Sequence, residues 1–127
     1  MILGAHFLLY SNDADADRAF FRDVLGFRYV DVGHGWLIFG MSPAEAAIHP
    51  VEDKSSQSDP KGLMGGELYL MCDDLNAMMA SLKAKKVECS EVQAAPWGIT
   101  TTVALPSGGR IGLYQPRHQT ALHLSLK

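Results

Sequence analysis

A chain of 127 residues fits one domain, which at this size removes roughly two-thirds of its unfolded surface from water, and two independent domains are not expected. With 47% hydrophobic and 20% charged residues, the composition is that of a folded globule and excludes a disordered chain. Eleven basic against 14 acidic side chains give a net charge of -3, without the clustered cations that a nucleic acid requires, so the expected partner is a small molecule.

No apolar run approaches the roughly 20 residues that span a bilayer, and the N-terminus lacks a basic segment followed by an apolar one and a cleavage site. A cytoplasmic location with no membrane partner is expected. Cys72 and Cys89 show no CxxC spacing and read as buried free thiols.

Residues 3 to 11 (LGAHFLLYS) form an apolar run suited to a strand, and Asn12-Asp13 offers a helix N-cap. In the helix that follows, Ala16, Ala19, Phe20, Val24 and Leu25 recur at helical spacing, acidic residues crowd the first turn, and Gly26 stands at the expected C-cap. Strands are expected near 27 to 32, 35 to 40 and 45 to 50, with turns at Gly33-His34 and Ser42-Pro43. Residues 52 to 66 are rich in Ser, Asp, Lys, Pro and Gly and read as a connector.

The pattern then restarts. GELYLMC reads as a strand, Asp73-Asp74 as a cap, and Leu75, Met78, Met79 and Leu82 as one helix face, with strands near 88 to 92, 99 to 105 and 110 to 115. Laying GAHFLLYSND over GGELYLMCDD puts His6 on Glu67, Leu9 on Leu70 and Asp13 on Asp74, so two βαβββ modules are expected, about 1–51 and 66–117. The tail from 118 alternates Leu122, Leu124 and Leu126 with polar residues, as an edge strand or a subunit contact does, and a homodimer is expected.

The strand-opening His6, the connector, ELYLMCDDL, the Pro96-Trp97-Gly98 turn and the closing PSGGRIGLYQP together resemble the vicinal oxygen chelate superfamily, which includes glyoxalase I, extradiol dioxygenases and bleomycin-resistance proteins. The resemblance covers nearly the whole chain. It implies a single α+β domain, with two tandem βαβββ modules forming a curved mixed sheet around a cleft and helices on the outer face. In metal-dependent members, ligands come from the first and last strands of each half. Here the first-strand positions are His6 and Glu67, where the family typically has His at the latter, and the last-strand position that usually carries Glu is Gly112.

Strand alternation assigns Phe7, Leu9, Leu68, Leu70, Ile111 and Leu113 to the helix-covered face, and His6, Glu67, Tyr69, Gly112 and Tyr114 to the cleft. Placing Ile48 on the helix side sends Glu45 and His49 to the cleft; matching Ile48 to Tyr114 instead turns His49 away. Two imidazoles and a carboxylate suit a divalent ion, Fe, Mn, Ni or Zn, with open positions for substrate oxygens. The candidate metal ligands are therefore His6, His49 and Glu67, with Glu45 as candidate catalytic base. Tyr69, Trp97, Tyr114 and Trp36 are candidate substrate-binding aromatics.

Each residue also has a purely structural reading. A strand histidine is often simply hydrogen-bonded, Glu67 can pair with Arg110, and strand aromatics usually pack. Asp73 and Asp74 read as capping residues; His118 and His123 as surface residues. Two functional classes follow: a metal-dependent lyase, isomerase or dioxygenase acting on a small oxygenated molecule, or a metal-free small-ligand-binding protein like the bleomycin-resistance proteins.

Overall fold

The computed structural model describes residues 5–50, 61–63 and 65–122. The class is α+β, with two helices, a two-stranded antiparallel sheet and a mixed four-stranded sheet among the described residues. The chain divides into two compact units, Met1–Gly40 with Ala104–Arg110, and Met41–Val103 with Ile111–Lys127.

In the first unit, helix α1 (Ala14–Asp23) begins where the sequence places its cap: the Asp13 carboxylate accepts from the Ala16 amide at 3.2 Å. Asp15 and Asp17 occupy its first turn, where the helix dipole favours negative charge. Phe20 and Phe21 are buried, and the Phe21 ring lies 5.8 Å from Phe27 and 5.4 Å from Phe39. Gly26, at a positive φ of 74°, releases the chain after the helix. Strands β1 (Tyr29–Asp31) and β2 (Leu37–Phe39) pair antiparallel in the register Tyr29 to Phe39, and the turn is closed by Asp31, whose carboxylate accepts from the Gly33 amide at 2.8 Å.

The strand expected over 3 to 11 does not form along residues 5–11, and the one expected over 45 to 50 does not form either. Apolar content makes a strand possible, but only a hydrogen-bonding partner makes one, and both stretches stay open to solvent: Tyr10 is 88% exposed and Ile48 83%. The assignments of Phe7, Leu9 and Ile48 to a covered face are corrected accordingly, since all three are exposed, and the alternation argument for His49 and Glu45 has no strand beneath it. Residues 51–60 of the connector and 123–127 of the tail, His123 included, lie outside the described residues.

In the second unit, strand β3 (Tyr69–Met71) leads through Asp74 into helix α2 (Leu75–Ala84), and the Asp74 carboxylate accepts from the Ala77 amide at 3.0 Å. Strands β4 (Gln93–Ala95), β5 (Gly98–Ala104) and β6 (Arg110–Pro116) complete a sheet of order β3-β6-β5-β4, with β3 and β6 parallel. The strand expected at 88 to 92 lies later, at 93–95; upstream, only a bridge between Cys89 and Val103 forms.

The core of this unit is Leu75, Leu82, Val103, Ile111 and Leu113, all buried. Each such leucine contributes about 1.5–3 kcal/mol relative to exposure. Buried Thr101 is satisfied by the Ser90 carbonyl at 2.6 Å. No described helix is long and apolar enough to cross a membrane.

Candidate functional site

The second unit gathers most of the aromatic candidates. Tyr69 on β3 and Gly112 on β6 are direct partners in the parallel ladder, and glycine leaves room for the tyrosine ring to lie across the neighbouring strand. A Cβ on Gly112 would overlap the Tyr69 ring. Two residues further along β6, Tyr114 presents its ring edge-on to Tyr69 (centroids 6.3 Å apart, 71°) and to Trp97 (5.6 Å, 69°). Gly98, next to Trp97, admits this cluster, since a Cβ there would meet the Tyr114 ring and the Gln115 carbonyl at 2.5 Å.

Both tyrosine hydroxyls are engaged. Tyr69 donates to the Glu67 carboxylate at 3.0 Å, and Tyr114 donates to the Trp97 carbonyl at 3.0 Å. Burial, followed by the Glu67 hydrogen bond, raises the Tyr69 hydroxyl above the ordinary phenol value; burial followed by the charge of Glu45 does the same for Tyr114. Both therefore act as neutral donors near pH 7. Trp97 is 53% exposed and Tyr69 41%, so the cluster presents aromatic surface to solvent.

Glu45 lies beside this cluster. One of its oxygens accepts from the Ala121 amide at 2.8 Å and the other lies 3.8 Å from His118 Nε2. The imidazole of His118 rests 5.8 Å from the Tyr114 ring at 34°, and its Nδ1 is 2.8 Å from the Gln119 carbonyl. Sequence reasoning assigned His118 to the surface alone. Its contact with Tyr114 follows from the chain turning back after β6, which no local pattern announces.

The remaining candidates are placed differently. His6 belongs to the first unit and is exposed. His49 is exposed, with Nδ1 2.7 Å from the Pro50 carbonyl. Trp36, in the first unit, lies under the Arg18 guanidinium at 4.6 Å, in a cation–π contact. A groove of about 310 Å³ in the same unit, lined among others by Asp15, Arg18, Arg22 and Tyr29, includes none of the candidates, and Arg18 and Arg22 are already paired with Asp15 and Asp23.

Among the described residues no three His, Cys, Asp or Glu side chains are grouped to hold a metal ion. Glu67 accepts from Tyr69, the imidazole Nδ1 of His49 faces the Pro50 carbonyl, and Gly112 has no side-chain donor. What the arrangement offers chemically is an aromatic face flanked by the carboxylates of Glu45 and Glu67.

A model of the Glyoxalase/Bleomycin resistance protein/Dioxygenase superfamily matches residues 5–111. Among solved structures, the antibiotic-binding protein TnmS3 from Streptomyces sp. CB03234 is similar at 25% identity and a TM-score of 0.61, over 91% of this chain and 99% of that one. A glyoxalase/bleomycin resistance protein from the same organism is 26% identical, with a TM-score of 0.53 over 83% and 93%. Lactoylglutathione lyase from Agrobacterium tumefaciens, at 21% identity and a TM-score of 0.58 over 84% and 88%, shares the fold. No curated protein matches the sequence.

Proposed function

Because the chain belongs to the glyoxalase/bleomycin resistance protein/dioxygenase superfamily, we propose that it binds a small, largely aromatic organic molecule on the Tyr69–Tyr114–Trp97 face and does so without a metal. The observation that carries this reading is the Tyr69 ring across Gly112. The strand position from which metal-dependent relatives are expected to supply a carboxylate is covered here by an aromatic side chain. The likeness to an antibiotic-binding protein at 25% identity supports the same reading.

Binding here rests on ring stacking and desolvation, which supply affinity without proton transfer. The test is a thermal-unfolding screen against flat aromatic antibiotics, with and without EDTA. A ligand that binds only the folded state raises the unfolding midpoint, and the expected rise is unaffected by chelation. Near-stoichiometric Fe, Mn, Ni or Zn in protein purified without chelators, lost in both His6→Ala and Glu67→Ala variants, would replace this reading with a metal-dependent lyase, isomerase or dioxygenase.

We further propose a homodimer in the cytoplasm. Phe7, Leu8, Leu9 and Tyr10 form an exposed apolar run of the kind that a second subunit covers, and two cysteines that form no disulfide suit a reducing compartment. Sedimentation equilibrium decides the first point: a dimer is expected, and Leu8→Lys is expected to shift it towards monomer.

A further inference from the structure

The chemistry around His118 identifies what the proposed site accepts. A carbonyl oxygen can only accept, so His118 Nδ1 must donate to Gln119. The other ring nitrogen, Nε2, faces Glu45 at 3.8 Å. The ring lies close to the Tyr114 π-face, and Tyr114 is held by its hydroxyl bond to Trp97 and edged by Trp97 and Tyr69. The second oxygen of Glu45 is fixed by the Ala121 amide, so the carboxylate is oriented before any ligand arrives. A flat nitrogen heterocycle, an aromatic partner and an oriented carboxylate thus meet at one place, and the carboxylate favours a cationic ring there.

We propose that this place, formed by Tyr114, Trp97 and Glu45, takes a flat, positively charged nitrogen heteroaromatic ring, and that His118 is its intramolecular stand-in, displaced when the ligand binds. The proposal rests on the ligand-binding reading above and narrows its ligand to one charge class. Glu67, held by Tyr69 at the far end of the cluster, adds a second negative charge that suits a cationic ligand extending along the aromatic face. No bond is made or broken. His118 swings out on the chain segment that follows β6, and the ligand cation replaces it beside Glu45.

Isothermal titration with 9-aminoacridine, a flat cation, and with anthracene-9-carboxylate, a flat anion of similar size, tests this on wild-type, His118→Ala and Glu45→Gln protein. The expected result is binding of the cation over the anion, tightened by His118→Ala because the internal competitor is gone. Glu45→Gln, which keeps an oxygen for the Ala121 amide, is expected to weaken binding about tenfold. In wild-type protein, the His118 imidazole resonances are expected to move on adding the cation, a readout that needs no variant to fold. Equal or tighter binding of the anion overturns the charge assignment while leaving ligand binding intact. Weaker binding by His118→Ala overturns the stand-in role, because the imidazole would then be a ligand contact. Failure of both probes to bind would count against the ligand-binding reading itself, and this proposal would fall with it.

Discussion

Tyr69 and Gly112 sit opposite each other in the parallel pairing of β3 and β6, and the tyrosine ring fills the space that a side chain on Gly112 would occupy. The two residues form one packing unit, so their substitutions couple. Gly112→Ala is expected to cost about 1–3 kcal/mol through overpacking, and appreciably less in a Tyr69→Ala background, where the space is vacant. Urea unfolding of the two single variants and the double variant gives the coupling directly. Additive costs would mean that the ring yields freely and does not guard the position.

Asp17 ties three parts of the first unit together. Its carboxylate accepts from the Ser11 hydroxyl at 2.6 Å, the Ser107 hydroxyl at 2.7 Å and the Ser107 amide at 3.1 Å. Asp17→Ala leaves the half-buried Ser107 amide without this acceptor, and a loss of about 1–3 kcal/mol is expected. In a Ser107→Ala background, where the hydroxyl contribution is already gone, the same substitution is expected to cost less. Chemical denaturation checks both, and equal costs in the two backgrounds would remove the hydroxyl from the account.

How much of this was legible in sequence depended on the range of the interaction. The helix caps at Asp13 and Asp74 were legible because a cap acts on residues two or three positions away. The turn glycine Gly26 was legible for the same reason, and the alternation that put Tyr69, Gly112 and Tyr114 on one face agrees with the ring contact between Tyr69 and Tyr114. The runs at 3 to 11 and 45 to 50 misled because hydrophobicity describes a side chain, whereas a strand is defined by a partner. Glu45 with His118 and Ala121 was not legible at all, since a contact across more than 70 residues leaves no periodicity to read. Asp17 and Ser107 escaped notice for the same reason.

The amide of Leu75 is satisfied from the strand next to β3, by the side-chain oxygen of Gln115 on β6 at 2.8 Å. Leu75 is fully buried, so water cannot readily replace this acceptor at the first residue of α2. Gln115→Leu keeps most of the volume and removes the oxygen, and a loss of about 1–3 kcal/mol is expected in thermal or urea unfolding. Gln115→Glu, which keeps an acceptor and adds negative charge at a helix N-terminus, is expected to be milder.

Burial raises the Cys72 thiol above its ordinary value, against a smaller opposing effect of the backbone hydrogen bond with Tyr114. A raised thiol pKa means less thiolate at any given pH below it, and the thiolate is the reactive form. In a Cys89→Ser background, iodoacetamide at pH 8 is therefore expected to label Cys72 more slowly in folded than in urea-unfolded protein. The sign of the linked stability follows: the contribution is fully present below the unfolded thiol's pKa and is lost as pH rises through the folded one. Labelling as fast in the folded protein as in the unfolded one would show the thiol to be freely ionisable.

Helix α2 ends in a Schellman arrangement: the Val87 amide donates to the Leu82 carbonyl at 2.9 Å and the Lys86 amide to Lys83 at 2.9 Å. That arrangement requires a left-handed residue between them, and Lys86 adopts φ 62° to supply it. A side chain with a Cβ pays a steric cost there that glycine does not, so Lys86→Gly is expected to stabilise the protein by up to about 1 kcal/mol despite the greater freedom of glycine in the unfolded chain. Lys86→Ala keeps the Cβ and removes only the charge and the side chain, so it isolates the backbone effect. A higher unfolding midpoint for Lys86→Gly than for both wild type and Lys86→Ala is the expected outcome; equal midpoints for the two variants would assign any gain to the lost lysine and not to the left-handed turn.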